Sequence, residues 1–426
     1  MKNKKLLINI SFFIFLIILS IYRSPYIFFE GRFLYGDAFF FANALNNTWD
    51  YTMLLIYKEA GYINLFSNLS SLISAKLINI YYAPLFNTYF CFLLILLLFY
   101  ILIFMNSDYF KTNIEKYTVS LVILVGPPFI FEIWLNNLNA QIYLAIITFF
   151  ILFIKHKNKY LFFFVPFLLI SGLSGVYSCL LTPLYLFKFI YKRNFTNMLK
   201  FGALGLATLT QIFIILNSKL TNSLSSGKLD FYISTNEFIS FIYNVIIRTF
   251  FSGKFPNMII SSFDTINVHN NSIVIFSFTI FLMSIFLFIY SIRIITKFYK
   301  KDLNIYISLI YLFFISSFVV IVGGVNDLIA GRYAVIPGLS LILIVIKLSF
   351  EQQKKFLNYL SIFLISSAFI TGFIDYRNEK HITYFDCIGC PNWREEVNAF
   401  KINESYELKV WPYTENKVIV LSKKLY

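Results

Sequence analysis

Residues 1–22, MKNKKLLINISFFIFLIILSIY, open with Lys2, Lys4 and Lys5 and run on into an apolar stretch. That stretch is roughly 17 residues long, the lower limit for a helix that crosses a bilayer. The segment that follows, RSPYIFF at 23–29, lacks a small-residue cleavage site, so the sequence predicts an uncleaved first span rather than a signal peptide. The rest of the chain has the same character. Of 426 residues, 58% are hydrophobic and 13% charged, and mean hydropathy is +0.72. An ordinary soluble domain is about a quarter charged, so this composition describes a polytopic membrane protein. Its 53 Phe and 30 Tyr, with abundant Ile, Lys and Asn, suggest AT-rich coding and hence a bacterial source.

Apolar windows fall at 6–22, 86–105, 118–135, 138–154, 160–173, 175–190, 199–216, 272–292, 303–322, 333–350 and 356–374, about eleven spans in an all-α bundle. Two places are irregular. VGPPF at 125–129 puts two prolines inside the third window, and PFLLISGLSGVYSCLLTP at 166–183 breaks the pair after the fourth, leaving two spans and a re-entrant pair both open. The formal charge of +15 belongs to short loops rather than to a nucleic-acid surface. Lys2, Lys4 and Lys5, then Lys111 and Lys116, Lys155, Lys157 and Lys159, Lys188, Lys192 and Arg193, Arg293 to Lys301, and Lys354 with Lys355 all fall on one side. The positive-inside rule makes that side the cytoplasm. The expectation is a bundle over 1–374 with a cytoplasmic N-terminus, outer loops at 23–85 and 217–271, and an extracytoplasmic segment at 375–426. Within the first outer loop, YINLFSNLSSLISAKLINIYY at 62–82 reads as an amphipathic helix lying in the interface.

Candidate chemistry concentrates in the outer segments. Asp37, in GRFLYGDAFFFANALNNTWDYTMLLIYKEAGY at 31–62, stands at the start of a predicted helix. It reads either as a helix N-cap or as a general base, with Arg32, Lys58, Glu59 and Tyr62 in the same loop. Arg332 and Tyr333, in GGVNDLIAGRYAVIPG at 323–338, set a cation at the outer start of a helix, where it opposes the dipole. A phosphate clamp and a salt bridge to Asp327 both explain it. EIWLNNLNAQIY at 132–143 offers Glu132, Asn136, Asn137, Asn139 and Gln141, either as sugar-recognition groups or as a polar turn. Cys387 and Cys390, in CIGCPNWREEV at 387–397, are expected to form a structural disulfide outside the cytoplasm, with Trp393 beside them. No P-loop, Rossmann glycine pattern, HExxH or GxSxG occurs, and three scattered histidines make no metal cluster.

The ordered series GDAFFFANALNN, YKEAGYINLFSNLSSLIS, NLNAQIYLAI, SGLSGVYSCLLTPLYL, GRYAVIP and NWREEV resembles bacterial GT-C-type polytopic glycosyltransferases. It is most similar to O-antigen serotype-converting glucosyltransferases. The resemblance implies transfer of a hexose, glucose in those relatives, from polyprenyl phosphate to a polysaccharide or lipid-linked acceptor on the periplasmic face of the inner membrane. It implies that Asp37 is the base and that Arg332, Tyr333 and Lys58 meet the donor phosphate. Arg32, Glu59, Tyr62, Asn136, Asn139, Gln141 and Trp393 would line the substrate. Many such proteins carry a second acid before the Asp, where this chain has Gly36, so a single base, no metal and no cofactor are expected. An O-antigen polymerase or a transporter of lipid-linked sugars is the alternative.

Overall fold

The computed structural model of the chain describes residues 2–57, 61–128, 131–155, 160–220, 241–251, 303–322, 331–350, 355–376, 391–403, 405–411 and 418–419. Among them, Asn3–Arg23, Ile80–Phe104, Phe195–Ser218, Arg332–Phe350 and Asn358–Asp375 are helices long and apolar enough to cross a membrane. Each coincides with an apolar window, because in lipid such a run satisfies its backbone groups only as a helix.

In chain order the first helices are α1 (Lys2–Arg23), α2 (Pro25–Phe29), α3 (Tyr35–Asn46), α4 (Trp49–Met53), α5 (Leu65–Lys76), α6 (Ala83–Phe104), α7 (Asn113–Val125), α8 (Ala140–Ile151), α9 (Leu161–Gly172), α10 (Thr182–Tyr191) and α11 (Phe195–Leu220). Between α4 and α5, the short strands β1 (Ile56–Tyr57) and β2 (Tyr62–Ile63) pair antiparallel. Later helices are Leu303–Val322, Val335–Phe350, Lys355–Asp375 and Trp393–Ile402.

The structure bears on three readings of the sequence. The window at 118–135 is not one span: α7 stops at Val125 after 13 residues, and Phe131–Ile133 forms a separate 3-10 turn. The stop is Gly126 followed by Pro127 and Pro128, since proline removes a helical donor and biases the residue before it away from helix. The pair at 160–190 forms α9 and α10, of 12 and 10 residues, joined through Gly175 at φ +107°. At about 1.5 Å per residue neither reaches the ~30 Å of a bilayer core alone. The helix expected within 62–82 forms as α5, but it buries Ser67, Asn68, Ser70, Ser71 and Ser74 together with Phe66 and Leu72, so its polar face turns into the protein rather than toward water. The eleven windows thus resolve among the described residues into five membrane-length helices and a set of shorter apolar ones. Residues 272–292 lie outside the described residues.

The chain divides into two units. The first comprises Met1–Asp108, Phe131–Ser225 and Arg377–Tyr426. Its centre is α8, largely apolar and buried along its whole length, with α6 and α9 packed against it. The C-terminal segment docks on the start of α3. Trp393, Val397, Phe400, Leu408 and Val410 share one core with Phe33, Ala38, Phe41 and Ala83, and the Trp393 ring meets Phe33 edge-on at 4.8 Å. Helix Trp393–Ile402 starts where the Asn392 side chain accepts the Arg394 N–H at 2.9 Å, with Glu395 and Glu396 in its first turn.

The second unit comprises Tyr109–Ile130 and Ser226–Tyr376. Helix Val335–Phe350 packs on Leu303–Val322 and Lys355–Asp375, and it is pinned to α7 by a fully buried ion pair, Lys347 to Glu115 at 2.7 Å. The Lys347 ammonium also donates to the Tyr109 carbonyl and lies 4.7 Å from the Tyr109 ring. Glu115 itself accepts the Lys111 N–H at 2.8 Å, while Thr112 caps α7 by accepting the Glu115 N–H at 3.1 Å. Breaking such a pair strands a charge in a dry interior, at a cost of about 3–5 kcal/mol. Glu115→Gln should therefore lower the unfolding temperature of the detergent-solubilised protein markedly, whereas the double change Glu115→Leu with Lys347→Met should recover most of the loss. Equal thermal stability of the single variant and the wild type would show that the pair does not hold the unit together.

Candidate functional site

The residues that gather around Asp37 belong to the first unit and meet on the loop 131–139, between the 3-10 turn Phe131–Ile133 and α8. Asp37 is the third residue of α3 and is not its N-cap. That position is Leu34, whose side chain makes no capping bond. Besides reaching back to the Leu34 amide, the Asp37 carboxylate points across to the loop and accepts the Leu138 N–H at 3.1 Å. Gly36 permits this approach, because a Cβ there would sit 2.5 Å from a Leu138 methyl carbon.

The loop is held from every side by polar groups. Arg32 donates from Nη2 to the Trp134 carbonyl at 3.3 Å, and the Arg23 guanidinium lies 4.6 Å from the centre of the Trp134 ring. Ser67 donates to the Asn137 carbonyl at 2.8 Å. Asn64 and Gln141 donate to the Leu138 carbonyl at 3.1 and 3.3 Å. The Asn137 amide donates to Ser70 at 3.0 Å and accepts the Cys91 thiol at 2.8 Å, and Ser70 passes the chain on to Asn87 at 2.9 Å. Within this grip Leu135 takes φ +49°, the one non-glycine residue with positive φ among those described. For a leucine this backbone costs about 1–2 kcal/mol, and it persists because the surroundings dictate it.

Asp37 is 3% exposed. Burial pushes its carboxyl up to about 7, opposed by the Leu138 amide, the Arg32 charge and the Asn137 and Leu34 amides. A carboxylate in this state exchanges its proton near neutrality, as a general base requires.

Other expected site residues are distributed as follows. Tyr62 and Gln141 meet, the Gln141 amide donating to the Tyr62 hydroxyl at 3.0 Å, while Gln141 Oε1 is buried with no hydrogen-bond partner among the described residues. Asn136 and Asn139 serve their own turn: Asn136 accepts the Asn139 N–H at 3.1 Å, and Asn139 donates to the Glu132 carbonyl at 3.1 Å. Trp393 is buried in the core, with its indole N–H donated to the Ile80 carbonyl at 2.7 Å. Arg332 and Tyr333 belong to the second unit, in the 3-10 turn Gly331–Ala334 that leads into Val335–Phe350. The Arg332 guanidinium donates to the Tyr333 hydroxyl at 3.3 Å and lies 4.9 Å from its ring. Lys58, Glu59, Asp327, Cys387 and Cys390 lie outside the described residues.

Sequence reasoning missed Arg23, Asn64, Ser67, Ser70, Asn87, Trp134 and Trp411. The Trp411 backbone pairs with Phe33 and Tyr35, and its ring lies 5.8 Å from the Arg32 guanidinium. The serines at 67, 70, 71 and 74 fall at helical spacing, a signal of a polar face that could have been read as buried. No protein-family model, curated protein or solved structure matches the chain.

Because the fold raises the proton affinity of Asp37, the folded state binds more protons here than the unfolded one. Stability from this group is greatest at acid pH and declines as pH rises from about 3.8 to about 7. At roughly 1.4 kcal/mol per unit, the penalty at pH 8 is on the order of 4 kcal/mol. Asp37→Asn should consequently gain thermal stability relative to wild type as pH is raised from 5 to 8, measured by differential scanning fluorimetry in detergent. A constant difference across that range would contradict the burial of an ionisable group at this position.

Proposed function

We propose that the chain is an integral membrane glycosyltransferase of GT-C type, a bundle of about eleven spans with its outer loops on the periplasmic face of the bacterial inner membrane. It transfers a hexose from polyprenyl phosphate to a cell-surface polysaccharide such as O-antigen. The observation that carries this reading is Asp37, a buried carboxylate aimed by a backbone amide and set beside an arginine, where burial pushes the carboxyl up to about 7. A structural acid fixed in a permanent ion pair would be held far below that range.

In the proposed reaction Asp37 takes the proton of an acceptor hydroxyl as that oxygen attacks the anomeric carbon. The bond from the anomeric carbon to the phosphate oxygen breaks on the opposite face, and its electron pair leaves on the polyprenyl phosphate. A single displacement inverts the configuration of the sugar. Arg332 with the Tyr333 hydroxyl supplies donors suited to the departing phosphate, where negative charge accumulates. Tyr62 and Gln141 form a hydroxyl–amide pair suited to sugar hydroxyls.

Asp37→Asn should accumulate in membranes at the wild-type level yet transfer labelled sugar from polyprenyl phosphate roughly two to four orders of magnitude more slowly. The wild-type rate should fall tenfold per unit as pH drops below about 7, following protonation of Asp37. Near-normal transfer by the Asn variant, or a flat profile through neutrality, would remove Asp37 from the chemistry. Arg332→Lys should raise the KM for the donor well beyond the effect of changing one cytoplasmic lysine, because an ammonium cannot hold a phosphate bidentately. An unchanged KM would end the clamp assignment.

A further inference from the structure

Arg23 and Arg32 are both buried, and both approach the same residue. Arg23 ends α1 and covers the Trp134 ring, while Arg32 holds the Trp134 carbonyl. Two neutral donors beside them are left over. The Trp134 indole N–H and the hydroxyl of Ser24, the neighbour of Arg23, are each about 1% exposed, and neither has a hydrogen-bond partner among the described residues. A buried donor without an acceptor costs about 1–3 kcal/mol, and each of these two, one adjoining Arg23 in sequence and the other on the ring beneath its guanidinium, calls for an acceptor. Guanidinium and indole groups can only donate, and a serine hydroxyl donates readily, so the complement is an anion rich in acceptor oxygens.

The position of this group narrows the anion. Arg23 is the last residue of a membrane-length helix, so it stands where hydrocarbon gives way to head groups. The helix leading to it leaves Ile14, Phe15, Ile18 and Tyr22 exposed, an apolar strip that an acyl or prenyl chain can lie along. Carboxylates are absent from the head groups of most bilayer lipids and from polyprenyl carriers, whereas phosphoryl groups define both.

We propose that Arg23, Ser24, Arg32 and Trp134 form a phosphoryl-binding pocket at the end of α1 that takes the head of a phosphate-bearing lipid. The four residues all belong to the first unit, and occupancy of the pocket is read by binding alone, without transfer. Failure of the transferase reading would therefore leave it standing, and the reverse holds as well.

The test uses the full-length protein in detergent and three probes: farnesyl monophosphate, farnesol and inorganic phosphate, followed by calorimetric titration. Farnesyl monophosphate should bind wild type, and farnesol should not. Competition by inorganic phosphate would show that the phosphoryl group alone suffices, and its failure to compete would show that the lipid chain is needed as well. Trp134→Phe keeps the ring under Arg23 but removes the N–H, and Ser24→Ala removes only the hydroxyl. Each should weaken farnesyl monophosphate binding roughly tenfold, the worth of one hydrogen bond to a charged group, and Arg23→Gln should weaken it further. The two small changes keep the test valid even where the arginine variant fails to fold. Equal binding of farnesol and farnesyl monophosphate, no binding of either phosphate, or wild-type affinity in both Trp134→Phe and Ser24→Ala would overturn the proposal.

Discussion

The hydrogen bond from the Leu138 amide to Asp37 ties together the parts of the first unit that no local rule would bring into contact. It closes a gap of 101 residues between the start of α3 and the loop before α8. Its acceptor has to be buried for the loop to pack, and burial of a carboxylate away from water is unfavourable unless donors surround it. The neighbourhood supplies them: amides from Leu138, Asn137 and Leu34, and the Arg32 charge. These donors do not fully offset desolvation, which is why the group retains its proton up to neutral pH. The same shortage that weakens it as a structural anion suits it to accept a proton.

The rest of the first unit follows from keeping that loop in place. The serines and asparagines of α5 and α6 face inward because the loop backbone has carbonyls and an amide side chain to satisfy, and a buried polar group without a partner is costly. Leu135 is held in a left-handed conformation by bonds on either side of it, strain of a kind that collects where a site is preorganised. The C-terminal segment completes the arrangement. Trp411 pairs its backbone with Phe33 and Tyr35 and stacks on Tyr26 at 5.7 Å, bracing the turn that carries Arg32.

Much of this was legible in the sequence and some was not, for physical reasons. Membrane-length helices announce themselves because hydropathy over about 20 residues is a direct measure of the solvent they need. Asp37 and its neighbours stood out as charges beside a span. The inward turn of α5 was hidden, since Ser and Asn at helical spacing look the same facing water as facing a polar interior. The role of Trp134 depends on contacts with residues about 100 positions away, which no local pattern encodes. At 118–135, hydropathy outvoted two prolines whose backbone consequence was decisive, and α7 ends at Val125 as those prolines require.

The central claim is that Asp37 is a buried carboxyl which gains and loses its proton near neutral pH. Infrared difference spectra of wild type against Asp37→Asn, recorded across a pH titration in membranes, observe that proton without reference to any substrate. The account predicts a protonated-carboxyl band at acid pH that belongs to Asp37 and disappears with a midpoint near pH 7. Absence of that band at pH 5, with Asp37 already ionised, would contradict it.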